Sequence, residues 1–579
     1  MKVIIFGAGI AGLTVAHELL DKGFDVSIYE KIDSVGGFAR SKRRTDGMPT
    51  EHSLRIYGIH YRNLFNILKR IPIKNLNKNN KKYTVYNNLD KPRQIINLHD
   101  KITNENIFLD LKPTFRDGLI ITYYIMKCLL SNLRNKEYSK ISMKSVFHKK
   151  ISQKGYDKYA TIVKFLNMKP ELFSLFDSTK YIQETILTYH SHTRNNKEYN
   201  NWFSKKLNNV YFMNQPTSEA WFNIWIKYLQ KKGLKLYLNS SLENIQINKK
   251  GKIEKCLITG RFAPNSLHRR GKAPPVTSKW IGTSSDIFVN CINPFQFQKI
   301  LTHSKLLEIP AIQKTELIKF PYLTNRSVHN QIGFTLIFNK ELKSPSNDYI
   351  YGHILSDSEF GVGFYIQNNV FKNDPYIKGG ISVISGITTN PSGIGKLYGK
   401  TYTQLNKKQF LEEVKYQIFR SQEFISYIKK YYNIHINDLH VIDSNIWHEW
   451  SYDSLQGGLI SNNPKWMTNM ENLQYRPSQK SGISNLYIAG AHTKTSVHFW
   501  NMESAVESGK HAANYIIEQY NSNFKNKKNK VYLYLHESSI YLKPFQLIDD
   551  ILYKLQLPNI LDFLLIIIIL WTTVRLLKI

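Results

Sequence analysis

The feature that most constrains the fold is a strand, a glycine-rich turn and a helix near the start of the sequence. Residues 3–6 are a short apolar run, typical of a buried parallel strand. Three glycines follow in the G-x-G-x-x-G pattern: Gly7, Gly9 and Gly12. Apolar residues then recur at helical spacing, and a second strand over residues 24–29 ends at Glu30. This order predicts the first unit of a dinucleotide-binding α/β fold.

Each of these residues has a physical reason to stand where it does. Gly7 permits the tight turn, Gly9 lets a pyrophosphate approach the backbone, and Gly12 lets the helix pack closely on the strand. The start of the helix offers free N–H groups to the phosphates. Glu30 follows Gly12 at close to the distance of ~20 residues expected for a carboxylate that binds ribose hydroxyls. An acid there disfavours a 2′-phosphate, and therefore NADP.

A cleavable export signal is the alternative interpretation of the same stretch. Lys2 precedes an apolar run that extends to Ala16, and a secretory signal also has a basic start and an apolar middle. The order of strand, glycines, helix, strand and acid favours the nucleotide-binding interpretation.

A second glycine pair narrows the choice of nucleotide. Gly36, Gly37 and Arg40 follow soon after Glu30, and a simple NAD dehydrogenase does not need them. The pattern E…GG…R resembles the flavin-containing amine oxidase and phytoene desaturase superfamily. The resemblance implies that FAD is the cofactor and that the glycine pair and Arg40 lie along its diphosphate.

A segment near residue 490 resembles the C-terminal FAD motif of the same superfamily. The sequence LYIAGAHTKTSVHFWNMESAVESG predicts a strand that ends at Gly490 and a helix that starts near Met502. The resemblance implies cofactor contacts at Gly490, Thr493, Met502, Glu503 and Ala505, and also at Leu242 in a predicted strand–turn–strand over residues 233–248. Two positions depart from the family pattern: Ala491 replaces the usual acid and Ser504 replaces a glycine.

The segment TEHSLRIYGIHYRNLFNILKRI, from Thr50, resembles plant-type phytoene and zeta-carotene desaturases. This resemblance implies an FAD-dependent oxidoreductase that removes hydride from a lipophilic isoprenoid or polyene substrate. The flavin carries such a reaction, so no catalytic residue is assigned. His52 and Arg55 are weak candidates for residues near the flavin.

Two other functions stay open. A flavin amine oxidase is one alternative, although no cysteine follows Cys291 and a cysteine-linked flavin before the C-terminal motif is therefore absent. We accordingly expect non-covalent FAD. The second alternative is a degenerate flavin-binding scaffold at a membrane, because Ala491 and Ser504 depart from the motif.

Charge and cysteine content exclude several other classes. The formal net charge is +35, but the lysines are scattered and no nucleic-acid motif accompanies them, so no nucleic-acid partner is expected. The three cysteines are far apart and form no CxxC pair, which argues against a disulfide framework or a metal site and favours a reducing compartment.

The predicted fold class is α/β, with a discontinuous Rossmann-like FAD-binding domain, a mixed α+β substrate domain and a C-terminal hydrophobic helix. The FAD-binding domain is predicted to consist of residues 1–72, 233–310 and 470–520, and the substrate domain of residues 73–232 and 311–469. A basic linker over residues 521–556 and a transmembrane tail over residues 557–579 are predicted to follow.

The C-terminal tail is the basis for predicting where in the cell the protein is located. Residues 563–571 are wholly apolar, and Trp571, Arg575 and Lys578 suit a membrane interface. The apolar stretch is at the short limit for a spanning helix, and a buried C-terminal helix is the alternative. We predict a tail-anchored protein whose enzyme domain faces the cytoplasm, with the membrane as a partner through the tail.

Overall fold

The structure of the protein is a computed structural model. It describes the following residues: 1–53, 55–58, 60–73, 83–90, 93–97, 114–165, 168–182, 209–260, 276–325, 328–342, 349–371, 374–377, 379–520, 530–536 and 540–576. Several sequence predictions fall partly outside these ranges: the desaturase-like segment from Thr50, the FAD-binding and substrate domains, the basic linker over residues 521–556 and Lys578 in the tail.

The strands, in chain order, are β1 Lys2–Phe6, β2 Asp25–Tyr29, β3 Ser41–Arg43, β4 Pro49–Glu51, β5 Tyr57–Gly58, β6 Arg93–Asn97, β7 Asn209–Tyr211, β8 Lys235–Tyr237, β9 Ser240–Ile247, β10 Ile253–Gly260, β11 Thr277–Ile281, β12 Ile287–Asn290, β13 Val328–His329, β14 Gly333–Phe338, β15 Tyr349–Ile354, β16 Val362–Ile366, β17 Ser382–Thr388, β18 Val441–Ile446, β19 Trp450–Asp453, β20 Gly458–Ser461, β21 Lys465–Trp466 and β22 Leu486–Ile488.

The α-helices, in chain order, are α1 Ile10–Leu20, α2 Arg62–Arg70, α3 Phe115–Leu129, α4 Asn135–Tyr138, α5 Met143–Phe147, α6 Gln153–Phe165, α7 Leu175–Ile182, α8 Asn223–Lys231, α9 Pro294–His303, α10 Phe320–Thr324, α11 Lys407–Arg420, α12 Gln422–Tyr432, α13 Met502–Tyr520, α14 Lys543–Lys554 and α15 Ile560–Leu576.

A parallel sheet contains the strands that precede the two glycine motifs. In the described part of the chain its five strands run in the order β22-β12-β1-β2-β8. Strand β1 is central, with Ile4 opposite Phe288 on one side and Ser27 on the other. The strands predicted at residues 3–6 and 24–29, and the strand before Gly490, are confirmed. Because β22 joins this sheet, the two glycine motifs come to one edge of it.

Two helices bring the ends of the sequence together over this sheet. Helices α1 and α13 pack against each other at Gly509, where an added Cβ would lie 2.8 Å from the Ala11 carbonyl oxygen. Buried side chains of both helices share one hydrophobic cluster with the strand residues Val3 and Ile5. The absence of a side chain at Gly509 therefore sets the distance between the helices that carry the two motifs.

The second large element is a mixed sheet. Among the described residues, eight strands run in the order β18-β14-β17-β16-β15-β6-β7-β5. The pairs are antiparallel except β15 with β6, which are parallel. Helices α11 and α12 cover this sheet through a cluster that includes Phe334, Phe364, Phe410 and Phe424. Ser421 lies between the two helices and caps α12 through its side chain.

Helix α8 is preceded by a π-helical turn. Residues Ser218–Phe222 form this single turn, which continues directly into α8, and Gly233 follows the end of the helix with a φ of 98°. Trp221 and Trp225 are stacked, with ring centroids 5.6 Å apart, and both are fully buried.

The C-terminal helices contact the rest of the protein. Asp549 on α14 is fully buried and accepts hydrogen bonds from the Ser131 hydroxyl (2.7 Å), Arg134 Nε (3.2 Å) and the Ile560 backbone N–H (2.8 Å). Helix α14 lies inside the segment predicted to be a linker. This carboxylate holds α14, the start of α15 and the end of α3 together.

Replacing Asp549 by alanine is expected to lower the free energy of unfolding by about 3 kcal/mol, because Arg134 and the Ile560 N–H would lose a buried partner. Thermal unfolding and the rate of proteolysis within residues 540–576 measure the effect. Asp25→Ala is the control, since the surface ion pair of Asp25 with Lys235 contributes about 1 kcal/mol or less. Equal stability of the two variants would contradict the expected role of Asp549.

The prediction of a tail-anchored membrane protein facing the cytoplasm is wrong. Helix α15 has 17 residues, which span about 26 Å at 1.5 Å per residue, less than the ~30 Å of hydrocarbon in a bilayer. Its Asp562 carboxylate accepts hydrogen bonds from the Tyr123 hydroxyl and from Lys127 Nζ, the latter at 2.7 Å. Across the residues that the structure describes, no helix combines the length and the apolar character needed to cross a membrane.

Candidate functional site

The two glycine motifs open into one cavity, called the central cavity below. Its volume is about 1070 Å³. Most of the site residues predicted from the sequence line it: Gly7, Gly9, Glu30, Gly36, Gly37, Arg40, His52, Arg55, Leu242, Gly490, Met502 and Ala505. Three predicted residues are absent from its lining, namely Gly12, Thr493 and Glu503.

The turn after β1 has the geometry that its glycines require. Gly7 has a φ of 100°, and a Cβ on it would lie 2.9 Å from the Cys291 carbonyl oxygen. A Cβ on Gly12 would lie 2.0 Å from the Gly7 carbonyl oxygen, so Gly12 lets α1 pack on the turn without facing the cavity. A Cβ on Gly9 would meet only Gly37 Cα, at 3.9 Å. The backbone at Gly9 is therefore accessible from the cavity.

The second glycine pair lies against the first motif. The Gly36 N–H donates a hydrogen bond to the Ala8 carbonyl oxygen (2.9 Å), and Gly36 has a φ of 103°. A Cβ on Gly37 would lie 3.1 Å from Gly9 Cα. A side chain at Gly37 would therefore separate the two loops, whereas a Cβ on Gly36 would lie 2.5 Å from Phe222 Cδ2.

Glu30 is fixed at the end of β2 by backbone donors. Its Oε2 accepts a hydrogen bond from the Ala8 N–H (2.7 Å) and its Oε1 accepts one from the Ile32 N–H (3.1 Å). Burial raises the pKa of Glu30, and the hydrogen bonds from Ala8 and Ile32 and the charge of Arg40 oppose that rise. The carboxylate still lines the cavity and has acceptor sites left for a ligand's hydroxyl groups.

The motif after β22 is held by a small hydroxyl cluster. The Gly490 N–H donates to the Ser508 hydroxyl at 2.8 Å, and the Thr493 hydroxyl lies 2.7 Å from the same oxygen. Thr493 therefore helps to position the Gly490 turn without lining the cavity itself. Ala491, which replaces the acid of the family motif, lines the cavity and is buried.

The start of α13 contains the other departure from the family motif. The Ser504 N–H donates to the Asn501 side-chain oxygen at 2.8 Å, and the Asn501 N–H donates to the Ser504 hydroxyl at 3.2 Å. This reciprocal pair is a capping box. Ser504 thus caps the helix whose first residue, Met502, lines the cavity.

Glu503 faces away from the cavity. Its carboxylate accepts hydrogen bonds from the Asn63 and Leu64 N–H groups at the start of α2, each at 2.9 Å, and contacts His536 Nε2 at 3.2 Å. Burial opposes ionisation, but His536 and these backbone donors lower the pKa of Glu503 overall. The carboxylate therefore joins α13 to α2 and to the segment that follows the motif.

Arg40 has a partner that the sequence did not reveal. Its Nη1 donates to the Gly37 carbonyl oxygen at 2.8 Å, and its Nη2 lies 2.6 Å from Glu449 Oε1. Glu449 also accepts hydrogen bonds from Trp447 Nε1 (3.0 Å) and Asn463 Nδ2 (3.2 Å). Burial favours the neutral acid, but Arg40 and these donors lower the pKa of Glu449.

Two more titratable residues in the cavity wall, His448 and Lys465, were not identified from the sequence. Burial, followed by the charge of Arg40, lowers the pKa of His448 to about 4. Burial also lowers the pKa of Lys465 well below its ordinary value, and the charge of Arg55 adds to this effect. No motif or spacing in the sequence distinguishes His448, Glu449 and Lys465 from other polar residues. Their place in the cavity wall is seen only in the folded structure.

His52 and Arg55, the weak catalytic candidates, both line the cavity. The His52 ring lies within hydrogen-bonding distance of the Gln331 carbonyl oxygen, 3.1 Å from Nε2. The Arg55 guanidinium donates to the Phe38 carbonyl oxygen and to the Ser53 hydroxyl, the latter at 3.2 Å. Both side chains are therefore anchored to the loops that frame the cavity.

The residues present fit a dinucleotide. Helix α1 begins at Gly9 without a side-chain cap, so its first N–H groups are available to phosphate oxygens. Glu30 lies to one side of this helix end, where it suits ribose hydroxyls, and α13 begins at the same cavity. The accessible backbone at Gly9 leaves room for a diphosphate between the two glycine loops.

Comparisons with known proteins match the two segments that meet at the cavity. A family model for an NAD(P)-binding Rossmann-like domain matches residues 5–71. A model for flavin containing amine oxidoreductase matches residues 421–517. The predicted resemblance to the amine oxidase and phytoene desaturase superfamily is confirmed. Together the two matches imply a flavin cofactor.

Curated relatives align with a short part of the chain. Zeta-carotene desaturase of Solanum lycopersicum is 42% identical over 71 residues, which are 12% of this chain and 12% of that protein. The 15-cis-phytoene desaturase of Synechococcus elongatus is 33% identical over 92 residues, 16% of this chain and 19% of that protein. The chain therefore covers less than a fifth of the length of either relative.

A solved structure extends the likeness over most of the chain. Cyclohexylamine oxidase from Brevibacterium oxydans superimposes with a TM-score of 0.50 at 14% identity, over 90% of this chain and 99% of that one. At this identity the likeness concerns the fold alone. The predicted α/β Rossmann-like fold with a parallel sheet is confirmed.

Proposed function

We propose that the protein is an FAD-dependent oxidoreductase that removes hydride from a lipophilic isoprenoid or polyene substrate, with FAD bound non-covalently. The FAD-binding domain of this proposal consists of residues 1–72, 233–310 and 470–520. The substrate domain consists of residues 73–232 and 311–469, and the apolar helix α15 follows. The alignments with zeta-carotene and phytoene desaturases support the removal of hydride from such a substrate as the reaction.

The central cavity is the observation that carries the proposal. Gly9 and Glu30 line it from one end of the sequence, and Gly490 and Met502 line it from the other. A single extended ligand that touches both motifs accounts for this arrangement, whereas a ligand of the first motif alone does not need the second.

The chain's own residues bind, orient and enclose the cofactor. A bound flavin supplies the acceptor for the hydride and is itself reoxidised by a separate acceptor. The α1 start and Gly9 would hold the diphosphate of the cofactor, Glu30 would accept hydrogen bonds from ribose hydroxyls, and the capped start of α13 would orient the ring end. Non-covalent attachment is supported by the lack of a cysteine after Cys291, which excludes a cysteine-linked flavin just before the C-terminal motif.

A lipophilic substrate is supported by the apolar part of the cavity wall. Ile56, Ile387, Trp466 and Trp500 line the cavity. Apolar walls exclude water from the C–H bond that reacts, and they bind a hydrocarbon body by the hydrophobic effect.

An amine oxidase is the second candidate, favoured by the family model that matches residues 421–517. The aromatic residues Tyr365, Trp466 and Trp500 in the cavity wall suit the body of an amine as well as that of a polyene. The distinction therefore rests on the substrate that reduces the flavin.

Anaerobic reduction of the purified protein tests the proposal. We expect a yellow protein that releases FAD on denaturation and whose flavin band bleaches with carotenoid or other isoprenoid lipids. Bleaching by amines alone would replace the desaturase-like function with the amine oxidase. A colourless protein that does not take up added FAD would leave the degenerate scaffold.

A further inference from the structure

Lys465 is a buried cation in the wall of the central cavity. It is 8% exposed and lies on β21, where it pairs with His329 across an antiparallel bridge that fixes its backbone. Among the described residues its Nζ has neither a hydrogen-bond acceptor nor a carboxylate partner, and it lies 5.7 Å from the centre of the Phe38 ring. The ammonium group therefore has no counter-ion within the described protein.

Arg55 is a second cation in the same wall without a carboxylate partner among the described residues. Its guanidinium donates to the carbonyl oxygen of Phe38 and to the hydroxyl of Ser53, and both of these acceptors are neutral. Its Nε is buried and has no acceptor in the described part of the chain. Phe38 connects the two cations, since its carbonyl contacts Arg55 and its ring faces Lys465.

Two carboxylates lie near the three cations Arg40, Arg55 and Lys465. Glu449 accepts from Arg40, Trp447 and Asn463. Glu51 accepts from the Thr217 N–H (2.9 Å) and hydroxyl (3.0 Å) through Oε1, its Oε2 has no hydrogen-bond partner in the described part of the chain, and its charge acts on Arg55 without a direct ion pair. This part of the wall therefore has more cations than anions to neutralise them. A buried charge without a partner is costly, and an anion from a ligand would relieve that cost.

The pKa of Lys465 is consistent with an excess of cations in this part of the wall. Burial is the main cause of the lowered pKa of Lys465, the charges of Arg55 and Arg40 lower it further, and the charge of Glu449 opposes them. An anion placed between Lys465 and Arg55 acts in the same direction as Glu449. It therefore raises the pKa of Lys465 and favours the ammonium form.

We propose that Lys465 and Arg55 form an anion subsite in the central cavity, and that the substrate carries a carboxylate or another oxyanion at one end of its apolar body. This inference rests on the proposed function and narrows its substrate class to an amphiphilic acid. The planar Arg55 guanidinium offers paired N–H donors to a carboxylate, and Lys465 adds a point charge. Ile56, next to Arg55, and Ile387 supply apolar wall for the body.

Binding of the anion is coupled to a proton. Lys465 is more readily neutral in the free protein than in the complex, so the complex takes up a proton at a pH between the two pKa values of Lys465. The affinity for an anion consequently falls as the pH rises through this interval. Arginine at position 465 stays protonated, so a Lys465→Arg variant binds without the proton uptake.

Octanoate, octanamide and octylamine are suitable probes because they share one apolar body and differ in charge. Each is titrated into the protein with and without FAD, and binding is followed by calorimetry in two buffers of different ionisation enthalpy. The flavin absorbance reports binding to the FAD-loaded protein. We expect octanoate to bind about tenfold or more tightly than octanamide, and octylamine to bind least.

Lys465→Met is expected to weaken octanoate binding about tenfold or more and to remove the proton uptake, while the affinity for FAD stays unchanged. Lys299→Met is the matched control, because Lys299 also lines the cavity but is solvent-exposed. This control should bind octanoate like the unmodified protein.

Three results would overturn the proposal. Equal binding of octanoate and octanamide would remove the requirement for an anion. Unchanged octanoate binding by Lys465→Met would remove Lys465 from the site. Loss of FAD affinity in Lys465→Met would assign the cations to the cofactor's own phosphates. A protein that binds octanoate with proton uptake but never binds FAD would keep the subsite and refute the proposed function.

Discussion

Gly12→Ala is expected to abolish FAD binding and to lower the free energy of unfolding by about 3 kcal/mol, the upper part of the range for overpacking. The added Cβ would lie 2.0 Å from the Gly7 carbonyl oxygen and 3.4 Å from Cys291 Cβ. A backbone carbonyl cannot rotate away as a flexible side chain can. Either α1 moves off the sheet or the Gly7 turn opens, and each movement displaces the N–H groups that would bind the diphosphate.

Flavin content after purification and thermal unfolding measure the two effects of Gly12→Ala separately. Gly379→Ala is the control, because a Cβ there meets nothing within 4 Å and Gly379 does not line the cavity. A Gly12→Ala protein that retains its flavin and its melting temperature would show that α1 does not depend on close packing at this turn.

The cofactor half of the molecule could be predicted because its signals are local. The spacing of Gly7, Gly9 and Gly12 encodes a turn within a few residues, and the apolar strands on each side define its context. The Gly490 segment is equally local. The position of Glu30 at the end of β2 follows from the strand length alone, and the structure places its carboxylate beside the turn.

The polar wall of the cavity could not be predicted in the same way. Glu449 meets Arg40 from more than 400 positions away, and Lys465 reaches the cavity only because β21 pairs with β13. The sequence around these residues has no periodicity or motif that distinguishes them from surface charges. Contacts between distant segments depend on the packing of the whole fold, which no local pattern encodes.

The tail shows how a composition signal can mislead. Its apolar run predicts a membrane span, and Asp562 directly precedes the wholly apolar residues 563–571. In the structure Asp562 pairs with Lys127 on α3, and Asp549 holds α14 against the same helix. An acid within an apolar run therefore marked a contact with the rest of the protein.

Glu449→Ala is expected to lower the free energy of unfolding by about 4 kcal/mol, as for a buried ion pair that loses one partner. Arg40 is 5% exposed, and in the variant its charge would remain buried without the carboxylate. The Trp447 indole N–H and the Asn463 amide would lose their acceptor as well. Denaturant unfolding at neutral pH measures the loss.

Arg40→Ala and the double variant Arg40→Ala/Glu449→Ala complete a thermodynamic cycle with Glu449→Ala. The double variant should lose less stability than the sum of the single losses, because neither charge then remains unpaired. The pH dependence gives a second measure. The pKa of Glu449 is lowered in the folded protein, so its contribution to stability is present above the pKa of the unfolded state and is lost as the pH falls through the folded pKa. Glu449→Gln should therefore lose less stability than the unmodified protein when the pH is lowered from 6 to 3, and parallel stability curves for the two proteins would refute the ion pair.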